Sequence, residues 1–139
     1  MSRPPHFLSP LVRGAPSGAG GMAPRYLLKN ERTGMVVSTT IETAFDSKTR
    51  RRGLLGRAGL AEEAVLIIAP CDSVHTFFMR FPIDVVFADR QGKIVKISHN
   101  LPPWRVSLAF RAFATLEFAA GRAEASGLRM GDRFVIEPQ

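Results

Sequence analysis

Cys71 and His75 are the first residues whose types and spacing could carry out chemistry. A thiol and an imidazole can act as nucleophile and general base when they are in hydrogen-bond contact. Residues four positions apart can be separated by as much as ~14 Å in an extended chain, so Asp72 and Ser73 would have to turn. The pair predicts a small enzyme if its side chains meet. A lone cysteine is more often a small buried apolar group, and the histidine would then bond to backbone carbonyls.

A metal site is the second chemistry to which the same pair could contribute. Asp72 or Asp84 could join the thiol and the imidazole, and zinc usually has three or four protein ligands. The other histidines, His6 and His99, are distant in sequence, and none of the spacings HxH, HxxxH and CxxC occurs. We therefore predict neither a metal nor a cofactor.

Asp84 and two arginines form a third group of candidates. Asp84 precedes the apolar run 85–87, where an unpaired buried carboxylate would be costly. Arg57 or Arg80 could pair with it, because a guanidinium bonds a carboxylate through two hydrogen bonds. An arginine left free could instead bind a ligand carboxylate or phosphate. The pattern favours the structural pair.

Aromatic and basic residues could line a shallow groove. Residues 74–79 are predicted to form one strand, in which Thr76, Phe78 and Arg80 would share a face. Trp104 follows a Pro-Pro pair in a loop. Such surfaces are common in ligand and partner recognition, although the two aromatic residues could also simply cover a barrel end. The predicted ligand-binding residues are Arg57, Thr76, Phe78, Arg80, Asp84 and Trp104.

The elements that must position these residues are mostly strands. Residues 26–28 and 35–41 predict a hairpin around a turn at 30–34. Asp46 or Ser47 can cap a short helix that ends at Gly53 with positive φ. Further strands are predicted at 65–69, 74–79, 84–88, 93–98, 113–118 and 134–137, with a helical turn at 121–126. Strands at this spacing, without a βαβ rhythm or a repeat, predict a mostly β (α+β) fold: a compact antiparallel β-barrel or sandwich with one or two short helices.

The chain is predicted to form a single β-rich domain at 25–139 after a flexible tail at 1–24. The tail is rich in proline and glycine and lacks the continuous apolar stretch of a signal peptide, and Met22 is an alternative start. No apolar run approaches the ~18 residues of a membrane span, so we expect a soluble, cytoplasmic protein. With one cysteine, no intrachain disulfide can form.

The charge of +7 and the pI of about 10.7 make anionic partners plausible. A dense basic cluster contains Arg50, Arg51, Arg52 and Arg57. One tryptophan and one tyrosine do not make an aromatic platform interleaved with basic residues, so we do not expect a nucleic-acid binder. The expected partner is a small ligand or another protein, neither of which is identified by composition.

Four motifs occur in a recognisable order: Arg50-x-x-Gly53-Leu54-Leu55-Gly56-Arg57-x-x-Leu60, then residues 73–87, then Leu116-Glu117-Phe118-Ala119-Ala120-Gly121, and finally Gly127-Leu128-x-x-Gly131-Asp132. Together they resemble the bacterial and archaeal "domain of unknown function 192" family over about residues 27–138. The resemblance implies a compact, mostly β domain with a short helix near Arg50, and no established activity. Many relatives carry a secretion signal that this chain lacks.

The chain departs from the commoner pattern of that family at several positions. Phe78 stands where tryptophan is frequent, residues 80–81 replace a Lys-Asn pair, and Leu55 and Val65 stand where methionine is common. A site shaped by those positions would differ here.

Three functions remain open from the sequence. The leading hypothesis is a non-enzymatic ligand- or partner-binding accessory module, because the polar and aromatic residues do not complete a catalytic group. The first alternative is a small enzyme using Cys71 and His75 as nucleophile and base or as metal ligands. The second is a purely structural domain.

Overall fold

Short strands separated by turns make up most of the computed structural model, which describes residues 6–13 and 25–139. The described helices are α1 (Ser9–Arg13), α2 (Ser47–Arg52) and α3 (Arg122–Ala125). The strands are β1 (Tyr26–Asn30), β2 (Val36–Ser38), β3 (Thr40–Ala44), β4 (Ala64–Ile68), β5 (Ser73–His75), β6 (Ile83–Ala88), β7 (Ile94–Leu101), β8 (Val106–Leu108), β9 (Ala114–Ala119) and β10 (Phe134–Pro138). No helix in these residues is both long and apolar enough to cross a membrane.

The strands form a sandwich-like arrangement, which confirms the mostly β fold. Five strands form the main sheet in the order β3-β4-β9-β6-β7, and β10-β1-β2 form a second sheet. Leu28, Val37 and Phe134 from the second sheet pack with Val65 and Phe118 of the main sheet. Over the described residues the sheets do not close into a barrel. Of the two predicted architectures, barrel and sandwich, the structure therefore has the sandwich.

The central strands β4, β9 and β6 of the main sheet are buried on both faces, which explains why they are mostly apolar. Val65 and Ile67 of β4 face the second sheet, whereas Leu66 and Ile68 point into a separate apolar cluster on the other side. That cluster includes Leu54 from the segment after α2. The candidate site lies at the edge of this second cluster.

The main sheet is antiparallel except at one edge, where a βαβ unit that the sequence pattern did not indicate is present. β3 runs parallel to β4, and α2 lies in the connection between them. The β-branched run at 35–41 predicted one strand, but the chain bends at Thr39 and passes from one sheet to the other. The Ser38 hydroxyl donates to the Glu63 carbonyl at 2.5 Å, and the Thr39 and Thr40 amides donate to the same oxygen.

Helix α2 and the first hairpin confirm their predictions. The Asp46 carboxylate accepts a hydrogen bond from the Thr49 amide at 2.8 Å and caps the helix. Gly53 ends the helix with φ +46° and ψ −125°, a conformation that is unfavourable for residues other than glycine. β1 and β2 pair as an antiparallel hairpin.

The strand predicted at 74–79 is wrong beyond His75. β5 ends there, a turn follows at residues 77–78, and Phe78 has φ +66°. The hydroxyl of Thr76 holds the turn: it donates to the Pro102 carbonyl at 2.6 Å and accepts from the Arg105 amide at 3.0 Å. β5 pairs instead with β8, which the sequence pattern missed, to form a separate two-stranded ribbon.

Part of the predicted tail packs on the domain. Leu8 is buried in the core between the two sheets, and the Phe7 amide donates to the Arg90 carbonyl at 2.9 Å. Gly92 lies under this contact: a Cβ there would stand 2.6 Å from the Phe134 carbonyl oxygen and 3.0 Å from the Phe7 ring. Residues 6–13 therefore do not behave as a free tail, and they add a third short helix. The remaining tail residues, 1–5 and 14–24, lie outside the described part.

Candidate functional site

A cavity of about 120 Å³ opens where α2 meets the ribbon and the main sheet. Its walls come from the end of α2 with the segment after it, from β4 and β5, from the loop between those strands, and from β9. Four kinds of polar group line it: guanidinium groups, a carboxyl group, and the thiol and imidazole considered above. The polar lining residues are Arg50, Arg51, Arg52, Cys71, Ser73, His75 and Glu117.

Glu117 is the most unusual residue of this cavity. It pairs across the sheet with Leu66 and Val85, so its side chain points into the same face as those apolar residues. Its side-chain oxygen Oε2 is buried and has no hydrogen-bond partner among residues 6–13 and 25–139, and the residue is 5% exposed. Burial raises the pKa of this carboxyl to about 7, against the opposing charge of Arg57. Near neutral pH the group therefore exists in both protonation states.

Arginines also line the cavity, because α2 is short and ends in three of them. Arg50 is the anchored one: its guanidinium donates to the Phe45 carbonyl at 3.3 Å and to the Ser47 hydroxyl at 3.4 Å. Arg51 and Arg52 are exposed, and neither forms an ion pair within residues 6–13 and 25–139. These two side chains are available to an anion.

Arg57 pairs with Glu42 at 2.8 Å and not with Asp84. The predicted Arg57–Asp84 pair is therefore wrong. Glu42 is paired across the sheet with Leu66, which places it on the edge strand beside the region of Glu117. Arg57 thus neutralises one carboxylate and partly counters the burial of another.

Asp84 has backbone partners in place of an arginine. It is fully buried, and its two oxygens accept hydrogen bonds from the amides of Asn100 and Ala123, both at 2.8 Å. Arg80, the second predicted partner, is exposed. The carboxylate joins β6 to the end of β7 and to the start of α3, so the prediction of an Arg–Asp pair is wrong while that of a satisfied buried charge holds.

Cys71 and His75 both line the cavity but do not bond to each other in the described contacts. The thiol donates to the Ser73 carbonyl at 3.1 Å, and the exposed His75 ring stacks on Phe77 with centroids 5.0 Å apart. The hydrogen bond of a nucleophile–base pair is not formed in this arrangement. Within the described ranges no cluster of three histidine, cysteine or acidic residues could hold a metal ion.

Thr76, Phe78, Arg80 and Trp104 do not form the predicted groove. Thr76 is fully buried and holds the turn, so it does not share an exposed face with its neighbours. Phe78 and Trp104 contact each other edge to face, with centroids 4.7 Å apart, and both are exposed. They lie on the outer surface and are not part of the cavity lining.

The sequence interpretation missed Glu117 as a site residue, although a signal was present. Glu117 is the single acidic residue of β9, just as Asp84 is the single acidic residue of β6. Such a residue must find a partner, become neutral, or serve a ligand. What the pattern could not show is that backbone amides reach Asp84 and none reaches Glu117.

Comparisons with known proteins agree on the fold and give no activity. The family model DUF192, described as "Uncharacterized ACR", matches residues 28–136. A Sinorhizobium meliloti 1021 protein described as a "putative transcription regulator" is 23% identical, covering 83% of this chain and 92% of that one, with a TM-score of 0.70. A Novosphingobium aromaticivorans DSM 12444 protein of unknown function is 21% identical, covering 85% and 99%, with a TM-score of 0.69. No curated protein matches the chain.

Proposed function

Because the chain belongs to the DUF192 family, whose description states no activity, we propose a function from its own geometry: it is a binding module for a small anionic ligand. The ligand would enter the cavity between α2 and Glu117. The observation that carries the proposal is the meeting of two unpaired arginines with a buried carboxyl that lacks a hydrogen-bond partner.

The arginines supply the charge that an anion requires. Guanidinium groups bind carboxylates and phosphates through two parallel hydrogen bonds, and Arg51 and Arg52 are free to do so. The cavity volume has room for a group the size of a phosphate or carboxylate. The rest of a larger ligand would extend into solvent.

Glu117 would act as a hydrogen-bond donor to the anion. A neutral carboxyl has one O–H to donate, whereas a carboxylate would repel a second negative charge. The pKa of about 7 means that the neutral form costs little at neutral pH. Binding would therefore take up a proton and would be stronger at pH 6 than at pH 8.

Calorimetric titration of the full chain with inorganic phosphate or acetate tests the proposal. Arg51→Ala combined with Arg52→Ala should weaken binding at least tenfold. Lys48→Ala is the matched control, since Lys48 is an exposed cation on the same helix but does not line the cavity. Equal binding by both variants, or no binding of either anion to the wild type, would contradict the proposal.

The enzyme hypothesis stays second, supported by Cys71, His75 and Glu117 lining the same cavity. Turnover in the Cys71→Ala variant distinguishes the enzyme hypothesis from the binding module. A binding module should keep its anion affinity in this variant, because the thiol bonds to a backbone carbonyl. An enzyme using the thiol as nucleophile would keep the affinity but lose turnover of an anionic ester or thioester.

A further inference from the structure

An exposed apolar surface lies on the ribbon and the loops at its two ends. We call it the ribbon patch, and its members are Phe78, Trp104, Val106, Leu108 and Phe110. Their exposed fractions run from 55% for Trp104 to 94% for Phe110. They make up five of the eight large hydrophobic residues that are exposed in the described part of the chain. The clustering indicates a contact surface, since scattered exposed apolar residues are ordinary but contiguous ones are not.

The backbone holds these side chains outward. In β8, Val106 and Leu108 are exposed while Ser107 between them is buried and bonds to the Ser98 hydroxyl at 2.7 Å. Phe78 and Trp104 both have positive φ, +66° and +64°, and their rings contact each other. Non-glycine residues adopt positive φ at a free-energy cost. The two loops that contain Phe78 and Trp104 thus accept backbone strain while their aromatic rings stay outside the apolar core.

Positive charge surrounds the ribbon patch. The segments 72–82 and 99–111, which contain it, hold the exposed Arg80, Arg105 and Arg111 and a single acidic residue, Asp72. Lys96 reaches the same ribbon and donates to the Leu108 carbonyl at 2.7 Å. The whole chain carries a charge of +7. The complementary partner is therefore negatively charged and offers apolar material.

We propose that the ribbon patch docks on the surface of an anionic lipid bilayer. Phe78, Trp104 and Phe110 would enter the boundary between headgroups and acyl chains, where aromatic side chains are favoured. The arginines would lie among the lipid phosphates, each strengthening binding about fivefold. Side chains exposed by 73% and 94% project from the protein and do not line a groove, which suits a fluid surface better than a shaped protein partner.

Trp104 supplies the test, because it is the single tryptophan of the chain. Vesicles of phosphatidylglycerol mixed with phosphatidylcholine should shift its emission to the blue and bring the full-length protein down on sedimentation. Brominated acyl chains should quench the emission. Pure phosphatidylcholine, or high salt with the mixed vesicles, should reduce binding at least tenfold.

Variants locate the contact. Phe78→Ser combined with Phe110→Ser should weaken partitioning at least tenfold, and so should Arg105→Gln combined with Arg111→Gln. Met35→Ser combined with Met130→Ser is the matched control, since both methionines are exposed and lie outside the patch. The Arg51/Arg52 double alanine variant should bind vesicles as the wild type does, which separates this proposal from that of the anion cavity.

Three results would overturn membrane docking. One is unchanged tryptophan emission with anionic vesicles. A second is a blue shift that depends on protein concentration alone, which would mean that another copy of the chain covers the patch. The third is vesicle binding that survives the phenylalanine variant but is lost in the Arg51/Arg52 variant, which would place the contact at α2.

Discussion

Two buried acidic side chains of the main sheet differ in their hydrogen-bond partners. Asp84 and Glu117 occupy paired strands of the main sheet, and each interrupts an apolar run. Asp84 accepts two backbone hydrogen bonds, while one oxygen of Glu117 has no partner. The first carboxylate stabilises the fold through these two hydrogen bonds, and the second is tolerated most easily when protonated, because burial raises its pKa.

Asp84→Ala should lower the free energy of unfolding by ~2–5 kcal/mol, because the backbone amides of Asn100 and the buried Ala123 lose their buried acceptor. Arg80→Ala should change it by less than ~0.5 kcal/mol, since Arg80 is exposed and is not the partner of Asp84. Urea denaturation measures both values, with Asp72→Ala as an exposed aspartate control. Equal effects of Asp84→Ala and Asp72→Ala would show that the two hydrogen bonds contribute nothing.

Glu117 should make stability depend on pH. Its pKa is about 7 in the folded state against an ordinary value of 4.5, so between pH 4.5 and pH 7 the folded chain binds more protons than the unfolded chain. The contribution of Glu117 to stability is full below pH 4.5 and falls as pH rises to 7, by about 3 kcal/mol. Above pH 7 it stays at the lower level.

Glu117→Gln should remove this loss, so the variant should gain on the wild type as pH rises from 5 to 8. Urea denaturation at several pH values gives the difference directly. Glu124→Gln is the control, because Glu124 is exposed. An identical pH dependence for wild type and Glu117→Gln would mean that the carboxyl finds a partner or is hydrated.

At the scale of elements, helix α2 illustrates how a short helix can be defined by its ends. It has six residues and buries none of them, so packing of an apolar face does not hold it. Its capping aspartate, its terminal glycine and three basic residues in the last turn, which complement the helix dipole, define it instead. The consequence is functional, because those basic residues line the cavity.

Gly53→Ala should destabilise the protein by ~1–3 kcal/mol, because alanine is strained at φ +46° and ψ −125°. Gly59→Ala is a close control: a Cβ there would meet nothing within 4 Å, and Gly59 is not among the positive-φ glycines. Thermal denaturation distinguishes the two. A loss for Gly59→Ala as large as that for Gly53→Ala would refute the conformational explanation.

At the scale of the whole molecule, the core recruits a segment that composition assigned to a tail. Leu8 is 1% exposed and lies in the cluster between the sheets, although prolines and glycines surround it in sequence. A few apolar residues can therefore join a core when the domain leaves a place for them. Truncations that remove residues 6–13 should then cost stability.

Leu8→Ala should lower the free energy of unfolding by ~2–5 kcal/mol, the usual cost of emptying a leucine site in a core. Val12→Ala in the adjoining helix α1 should have little effect, because Val12 is 56% exposed. Denaturant titration of the full chain compares them. If both substitutions are neutral, the segment is not held on the domain in solution.

Local chemistry was sufficient to predict the mostly β character, the first hairpin and helix α2. These features depend on residues near each other in sequence: the Asp46 cap, the glycine that follows the helix, and alternating or apolar runs bounded by turn residues. The DUF192 motifs were recognisable for the same reason, since each is a short continuous stretch.

Only the tertiary structure decided which groups meet. The parallel β3–β4 edge, the early end of β5 and the burial of Leu8 depend on bonds to residues far along the chain, such as Thr76 to Pro102 and Arg105. Likewise, Asp84 accepts hydrogen bonds from the amides of Asn100 and Ala123, whereas Glu117 lines a cavity together with arginines of α2. The type of a residue sets the free-energy cost of burying its charge. The neighbours that folding brings to it decide whether hydrogen bonds within the protein offset that cost or whether a ligand would have to offset it.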